Sequence, residues 1–293
     1  MRIVFIGSVK FSHSTLEHLL SIGGEVVGVC TLKQSKFNSD HEDLSEISIF
    51  HGIPFLYADD INSVESINWI KQKAPDIIFC FGWSKLLKQE LLELPPLGVI
   101  GFHPAALPAN RGRHPLIWAL VLGLKKTAST FFFMDQGADT GDILSQRDIQ
   151  ITDEDDASSL YKKTTQTALS QIEEFVPALI SNTNLRQNQD KNNANTWRKR
   201  NKADGIIDWR MSAKSIHNLV RGLANPYVGA SFFLDDQEIK VWKTQLVSDV
   251  SYNIEPGRVF KFENDKPVIK CGEDAVCLLI TDPLFMPKIG DYL

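Results

Sequence analysis

Seven residues in a row after Asp76, Ile-Ile-Phe-Cys-Phe-Gly-Trp83, carry no charge. The run is far shorter than the ~20 apolar residues of a membrane-spanning helix. It follows neither a strand's nor a helix's polar alternation, so no face of it is kept for water. Such a segment fits a central strand of a parallel sheet, covered on both faces by helices. Its flanks agree. Residues 62–73 and 85–93 read as helices, and Pro95-Pro96 stops the second.

Short apolar runs of the same kind recur at residues 2–7, 26–32, 54–57, 98–102, 127–135 and 143–151, and a helical pattern starts at Ser14. Strands alternating with helices predict an α/β fold whose N-terminal domain is a Rossmann-like, mostly parallel sheet. The turn after the first strand, Gly7-Ser-Val-Lys-Phe-Ser12, is not Gly-x-Gly-x-x-Gly, so NAD is not expected. Residues 33–46 read as a solvated polar loop leading into a helix. Thr152-Asp-Glu-Asp155 reads as a helix N-cap, with the acids of residues 153–156 in its first turn rather than around a metal. That helix should reach Ile180 with Leu160, Thr164, Ala168, Ile172 and Phe175 on one face.

Residues 181–195 are rich in Asn and Gln and nearly free of apolar side chains, which marks a boundary. Beyond it come a helix at 212–223 and short strands at 230–234, 238–242, 257–262, 268–270 and 275–280. This spacing predicts a small β-rich module, OB-like or a reduced version of that barrel. The expected organisation is a catalytic domain over residues 1–181, a linker over 182–203 and the β-rich module over 204–293.

A formal net charge of -5 over 293 residues gives no global field for nucleic acid or anionic membrane. Neither is expected as a partner. The short basic run is Arg198-Lys-Arg200. Cys30, Cys80, Cys271 and Cys277 show no Cys-x-x-Cys spacing, so reduced, buried thiols are expected, with no metal. No stretch approaches membrane-spanning length and the chain opens directly on a strand; a cytoplasmic location is expected.

His103 follows a strand end, where open α/β sheets bind ligands. A histidine there exchanges a proton near neutral pH if a carboxylate orients it. The turn after the next strand, Asp135-Gln-Gly-Ala-Asp-Thr-Gly-Asp142, offers Asp139 or Asp142, since adjacent strands of one sheet are expected to end together. Spacing alone does not choose between them, and structural turns explain the same residues equally well.

The segment His103-Pro-Ala-Ala-Leu-Pro108 with Arg111-Gly112, followed by Asp139-Thr-Gly-Asp142, resembles the 10-formyltetrahydrofolate-dependent formyltransferase family. The resemblance continues through Asp204-Gly-Ile-Ile-Asp-Trp209 and Val241-Trp-Lys243, and so spans nearly the whole chain. It is nearest to the N-formyltransferases of nucleotide-linked amino sugars, of the type found beside pseudaminic-acid-like pathways. Methionyl-tRNA and glycinamide ribonucleotide formyltransferases are relatives. The interval from His103 to Asp139 matches the family's catalytic spacing, which implies Asp139 as the partner and leaves Asp142 to the loop.

The resemblance implies a primary amine attacking the formyl carbon of 10-formyltetrahydrofolate, a co-substrate used without a metal. His103 would move the proton or stabilise the tetrahedral oxyanion, and Asp139 would support its charged form. Phe81, Gly82, Trp83, Gly137, Ala138 and Asp142 lie where the family seats the folate. The family also carries an asparagine oxyanion donor two residues before the histidine, and here that position is Gly101. Loss of such a donor typically costs about a hundred- to a thousandfold in rate. Asn110, His114 or a backbone N–H is expected to make the oxyanion or substrate contact instead.

For the acceptor, the resemblance sets a nucleotide-linked amino sugar of surface-glycan biosynthesis against methionyl-tRNA, with a non-catalytic folate- or sugar-binding relic as a further alternative. A tRNA enzyme needs a basic surface. Residues 203–293 hold ten Lys and Arg against thirteen Asp and Glu, and residues 33–46 include Asp40, Glu42, Asp43 and Glu46. Both features favour the sugar. Arg111 and Arg113, read as a helix N-terminus, and Arg198 and Arg200 are the expected ligands of its diphosphate. A homodimer is one possible assembly.

Overall fold

A computed structural model describes residues 1–35 and 39–293. Residues 36–38, within the expected polar loop, lie outside the described residues. The chain divides into two compact units that are not consecutive in sequence. The first holds Met1–Pro115, Thr127–Ile149 and Lys162–Trp197; the second holds Leu116–Lys126, Gln150–Tyr161 and Arg198–Leu293.

The chain opens with β1 (Arg2–Ile6), α1 (Lys10–Ser21), β2 (Glu25–Thr31), α2 (Ser45–Phe50), β3 (Phe55–Tyr57), α3 (Val64–Gln72) and β4 (Ile77–Cys80). Then follow α4 (Gln89–Leu92), β5 (Val99–His103), β6 (Arg111–Gly112), α5 (Pro115–Val121), β7 (Lys126–Phe133), β8 (Ile143–Gln150), α6 (Ala157–Ile180) and β9 (Thr196–Trp197). Ser63 caps α3 by accepting from the Ser66 N–H at 3.1 Å, and Glu65 stands in its first turn. The helix expected over 85–93 is reduced to the single turn of α4.

One seven-stranded sheet takes the order β3-β2-β1-β4-β5-β7-β8. The pairs β3–β2, β2–β1, β1–β4 and β4–β5 are all parallel. As the apolar run required, β4 is buried at every position. Phe5, Phe79, Phe81, Phe131 and Phe175 pack ring against ring beside it. The strand order reverses between β1 and β4, which makes the crevice beyond their carboxyl ends the topological switch point.

The second unit contains α5, α7 (Ala213–Leu223) and β10 (Ala230–Leu234), β11 (Gln237–Val247), β12 (Val259–Glu263), β13 (Lys266–Lys270) and β14 (Ala275–Asp282). The five strands form an antiparallel sheet in the order β10-β11-β14-β13-β12. Ser212 caps α7, whose Ile216, Leu219, Val220 and Leu223 join Trp209, Phe232, Val241 and Leu278 in one core. Ile117 of α5 belongs to the same core.

The expectation for the acids before α6 changes. The acids of residues 153–156 precede α6 instead of lining its first turn. Asp156 is the cap, accepting from the Ser159 N–H at 2.8 Å; Asp155 closes a turn onto Thr152, and Asp153 pairs with Lys125 and Lys214. Ser159 serves two of them, its hydroxyl donating to Asp155 Oδ1 at 2.9 Å. The face from Leu160 to Phe175 is buried as the helical period required. No helix among the described residues is long and apolar enough to cross a membrane. All four cysteines are free and buried, and burial pushes the Cys30 and Cys271 thiols up to about 12.

Candidate active site

His103 ends β5 and is only 5% exposed. Its Nε2 lies 2.7 Å from the carbonyl oxygen of Asn110. A carbonyl only accepts, so Nε2 carries a proton and Nδ1 is the nitrogen left to exchange one. Nδ1 stands 3.6 Å from Asp139 Oδ2, beyond hydrogen-bond length but close enough for strong attraction to an imidazolium. The same Oδ2 accepts from the Gly112 N–H at 2.9 Å. Asp142 is directed elsewhere, accepting from Asn188 Nδ2 at 3.1 Å.

The route by which Asp139 arrives differs from the expectation. β5 and β7 are antiparallel, with His103 opposite Thr130 and Ile100 opposite Phe133. The turn after β7 therefore leaves from beside the start of β5, not its end. It doubles back, with the Phe133 N–H bonded to the Asp142 carbonyl at 2.8 Å, and Asp139 adopts the left-handed region at φ 59°. Gly137 N and Thr140 Oγ1 both donate to Asp135 Oδ1, at 3.0 and 2.5 Å, which shapes the turn.

This return explains Gly101. A Cβ there would meet Met134 Cγ at 2.8 Å and Phe132 Cζ at 3.0 Å. The space that an asparagine side chain would take is filled by a thioether and a ring. Asn110 sits at φ 64°, its N–H donates to Asn195 Oδ1 at 2.7 Å, and its carbonyl accepts from His103. Its side-chain amide makes no hydrogen bond to the described residues. His114, at φ 58°, is engaged with partners of its own.

Phe81, Gly82 and Trp83 follow β4 at the switch point. The Phe81 N–H donates to the Ile6 carbonyl at 2.9 Å, and Ser12 Oγ donates to the Phe81 carbonyl at 2.6 Å. Gly82, at φ 70°, has Val9 Cγ2 only 2.3 Å from the position of a Cβ, so no side chain fits. Trp83 packs at the edge of the core, and its buried Nε1 has no partner among the described residues. Gly137 and Ala138 are exposed on the returning loop.

The four arginines separate. Arg111 lies in β6, not at a helix N-terminus; β6 pairs in parallel with β9, and α5 starts only at Pro115. The positive φ of Gly112 and of His114 keeps the helix from reaching back to it. Arg111 donates to Gln189 Oε1 from Nε at 3.3 Å and Nη2 at 2.6 Å, and exposed Arg113 reaches the Ser84 carbonyl at 3.4 Å. Arg198 and Arg200 belong to the second unit. Arg198 forks onto Asp204 and holds that carboxyl well below the usual range. Arg200 is buried, stacked 4.6 Å from the Trp118 ring centroid, and donates to the Asp204 carbonyl. The Arg198 side chain is 60% exposed, whereas Arg200 is buried. Gln189, Asn195, Met134 and Phe132 went unrecognised in the sequence because nothing in their local pattern points to a partner some thirty to eighty-five residues away.

His103 at the end of β5 and Asp139 on the returning loop form a histidine–carboxylate pair suited to acid–base chemistry. The family description "Formyl transferase" matches residues 1–176, and "Formyl transferase, C-terminal domain" matches residues 199–283. The chain belongs to this family and is a formyltransferase. Methionyl-tRNA formyltransferase of Caldanaerobacter subterraneus subsp. tengcongensis is 33% identical over 300 residues, covering 100% of this chain and 96% of the relative. In fold, the chain is similar to the N-formyltransferase of Helicobacter canadensis solved with folinic acid and dTDP-3-aminofucose. There the TM-score is 0.71 at 18% identity, over 94% of this chain and 98% of that one. WlaRD, a sugar 3N-formyl transferase solved with dTDP and 5-N-formyl-THF, gives 0.70 at 19% identity, over 95% and 97%. Among the described residues, no group of three or more His, Cys, Asp or Glu side chains is placed to hold a metal.

Proposed function

We propose that this formyltransferase carries the formyl group of 10-formyltetrahydrofolate to the primary amine of a nucleotide-linked amino sugar. The amine nitrogen bonds to the formyl carbon, giving a tetrahedral oxyanion. The carbon–nitrogen bond to the folate then breaks, and the proton lost by the amine ends on the folate nitrogen. His103 Nδ1 exchanges that proton, because Nε2–H is committed to the Asn110 carbonyl. Asp139 stands beside the His103 ring, and the Asn110 amide supplies the donor that Gly101 lacks. The switch-point crevice, with the unpartnered Trp83 Nε1, suits the folate. Arg111 and Arg113 supply charge for a diphosphate.

The observation that carries the choice of acceptor is the acidic balance of the C-terminal residues. Arg198 is committed to Asp204 and Arg200 is buried, while residues 203–293 carry a net charge of -3. The methionyl-tRNA reading stands second, supported by the 33% identity to an enzyme of that name. Parallel assays with dTDP-, UDP- and GDP-linked amino sugars and with methionyl-tRNA decide between them. Formylation of a nucleotide sugar at a higher kcat/KM than tRNA is expected; salt-sensitive transfer to tRNA alone would replace the sugar reading with the tRNA one.

A further inference from the structure

Residues 187–197 fall in the stretch whose composition reads as a linker, yet this stretch frames the site. Asn195 receives the Asn110 N–H, and β9 pairs with β6 so closely that a Cβ on Gly112 would stand 2.3 Å from the Trp197 carbonyl. At its centre is Gln189, 4% exposed. Its Nε2 donates to the Asp139 carbonyl at 3.0 Å and to the Gly141 carbonyl at 2.7 Å, while its Oε1 accepts from Arg111. With two carbonyls on one side and a guanidinium on the other, the amide fits only one way round.

We propose that Gln189 is a positioning residue for formyl transfer: its carboxamide holds the loop that turns Asp139 toward His103, and Arg111 fixes the orientation of that carboxamide. The inference rests on the His103–Asp139 pair being the reacting site. Asp139 occupies the left-handed backbone region, which is uncommon for a residue with a Cβ although aspartate enters it more readily than most. The loop's own bonds to Asp135 take neither the Asp139 nor the Gly141 carbonyl, and Gln189 takes both. Gly112 donates to the carboxylate of the same Asp139 from the residue next to Arg111. Backbone and side chain of one aspartate are thus held from a single two-residue strand, directly by Gly112 and through Gln189 by Arg111.

Two near-isosteric variants of the full chain separate this role from packing. Gln189→Met keeps length and burial without donors; Gln189→Glu keeps the Arg111 partner but sets acceptors against two carbonyls. Hydrogen–deuterium exchange at residues 136–142 is expected to rise in both, with exchange in β4 unchanged. The kcat for formyl transfer is expected to fall about ten- to a hundredfold, with KM for the formyl donor held. In an Asp139→Asn background, Gln189→Met should cost little more. Unchanged exchange at 136–142 overturns the inference whatever the acceptor is. So does exchange that rises equally in β4, or full activity despite a loosened loop, or an undiminished further loss in the Asp139→Asn background. If the wild type formylates neither acceptor class, the functional reading fails while the exchange measurement still decides whether Gln189 holds the loop.

Discussion

Met134 and Phe132 crowd the position of a Cβ on Gly101, and both pack against the core around Leu107 and Ile143. Gly101→Asn is therefore expected to destabilise the fold by about 1–3 kcal/mol, read by denaturant unfolding, and to leave turnover no higher than the wild type's. A stable, faster variant would return the donor role to that position. Asn110→Gly keeps the left-handed backbone that Asn110 occupies while deleting its amide. Its kcat is expected to fall about a hundred- to a thousandfold, measured at saturating substrates beside an unchanged melting temperature. His217 shows how one residue sets a pH response. Burial first, then the charges of Arg221 and Lys214, hold it down at about 4 from an ordinary 6.5, against the opposing pull of Asp153. The folded chain keeps the ring neutral where the unfolded chain would protonate it. Stability from the neutral ring is complete above about pH 6.5 and is lost as pH falls toward 4. Melts of His217→Gln across that window should show a flatter decline than the wild type.

The elements most legible in the sequence are those whose burial repeats at short range. β4 could be nothing but an inner strand, and α6 shows its buried face at helical spacing from Leu160 to Phe175. Direction was not legible: β7 carries the same apolar run whether parallel or antiparallel, so the return of the 135–142 loop along β5 could not be foreseen. Capping failed by one turn, because Asp155 finds a partner in Thr152 and leaves Asp156 to start α6. Asp156→Ala is expected to cost about 0.5–2 kcal/mol in unfolding free energy, and Asp153→Ala less, since its partners Lys125 and Lys214 are exposed. The segment read as a linker misled for a different reason. Its polar side chains bond within the site, and composition cannot tell an amide facing solvent from one facing a carbonyl.

Across the whole molecule, both family domains are present, so the chemistry follows from descent, while the acceptor must follow from surface and charge. Sequence identity leans toward enzymes named for tRNA; the net negative charge of the chain and the committed arginines lean away from a polyanion. The two resemblances are compatible, since one fold and one His–Asp pair can be fitted to different amines by loops alone. The most direct measurement follows labelled formyl from 10-formyltetrahydrofolate in single turnover, with wild type and His103→Ala offered the same nucleotide-linked amino sugar. The predicted result is label on the sugar amine with wild type and a rate at least about a hundredfold lower with the variant. Equal rates for the two proteins, or label passing only to methionyl-tRNA, would contradict the account.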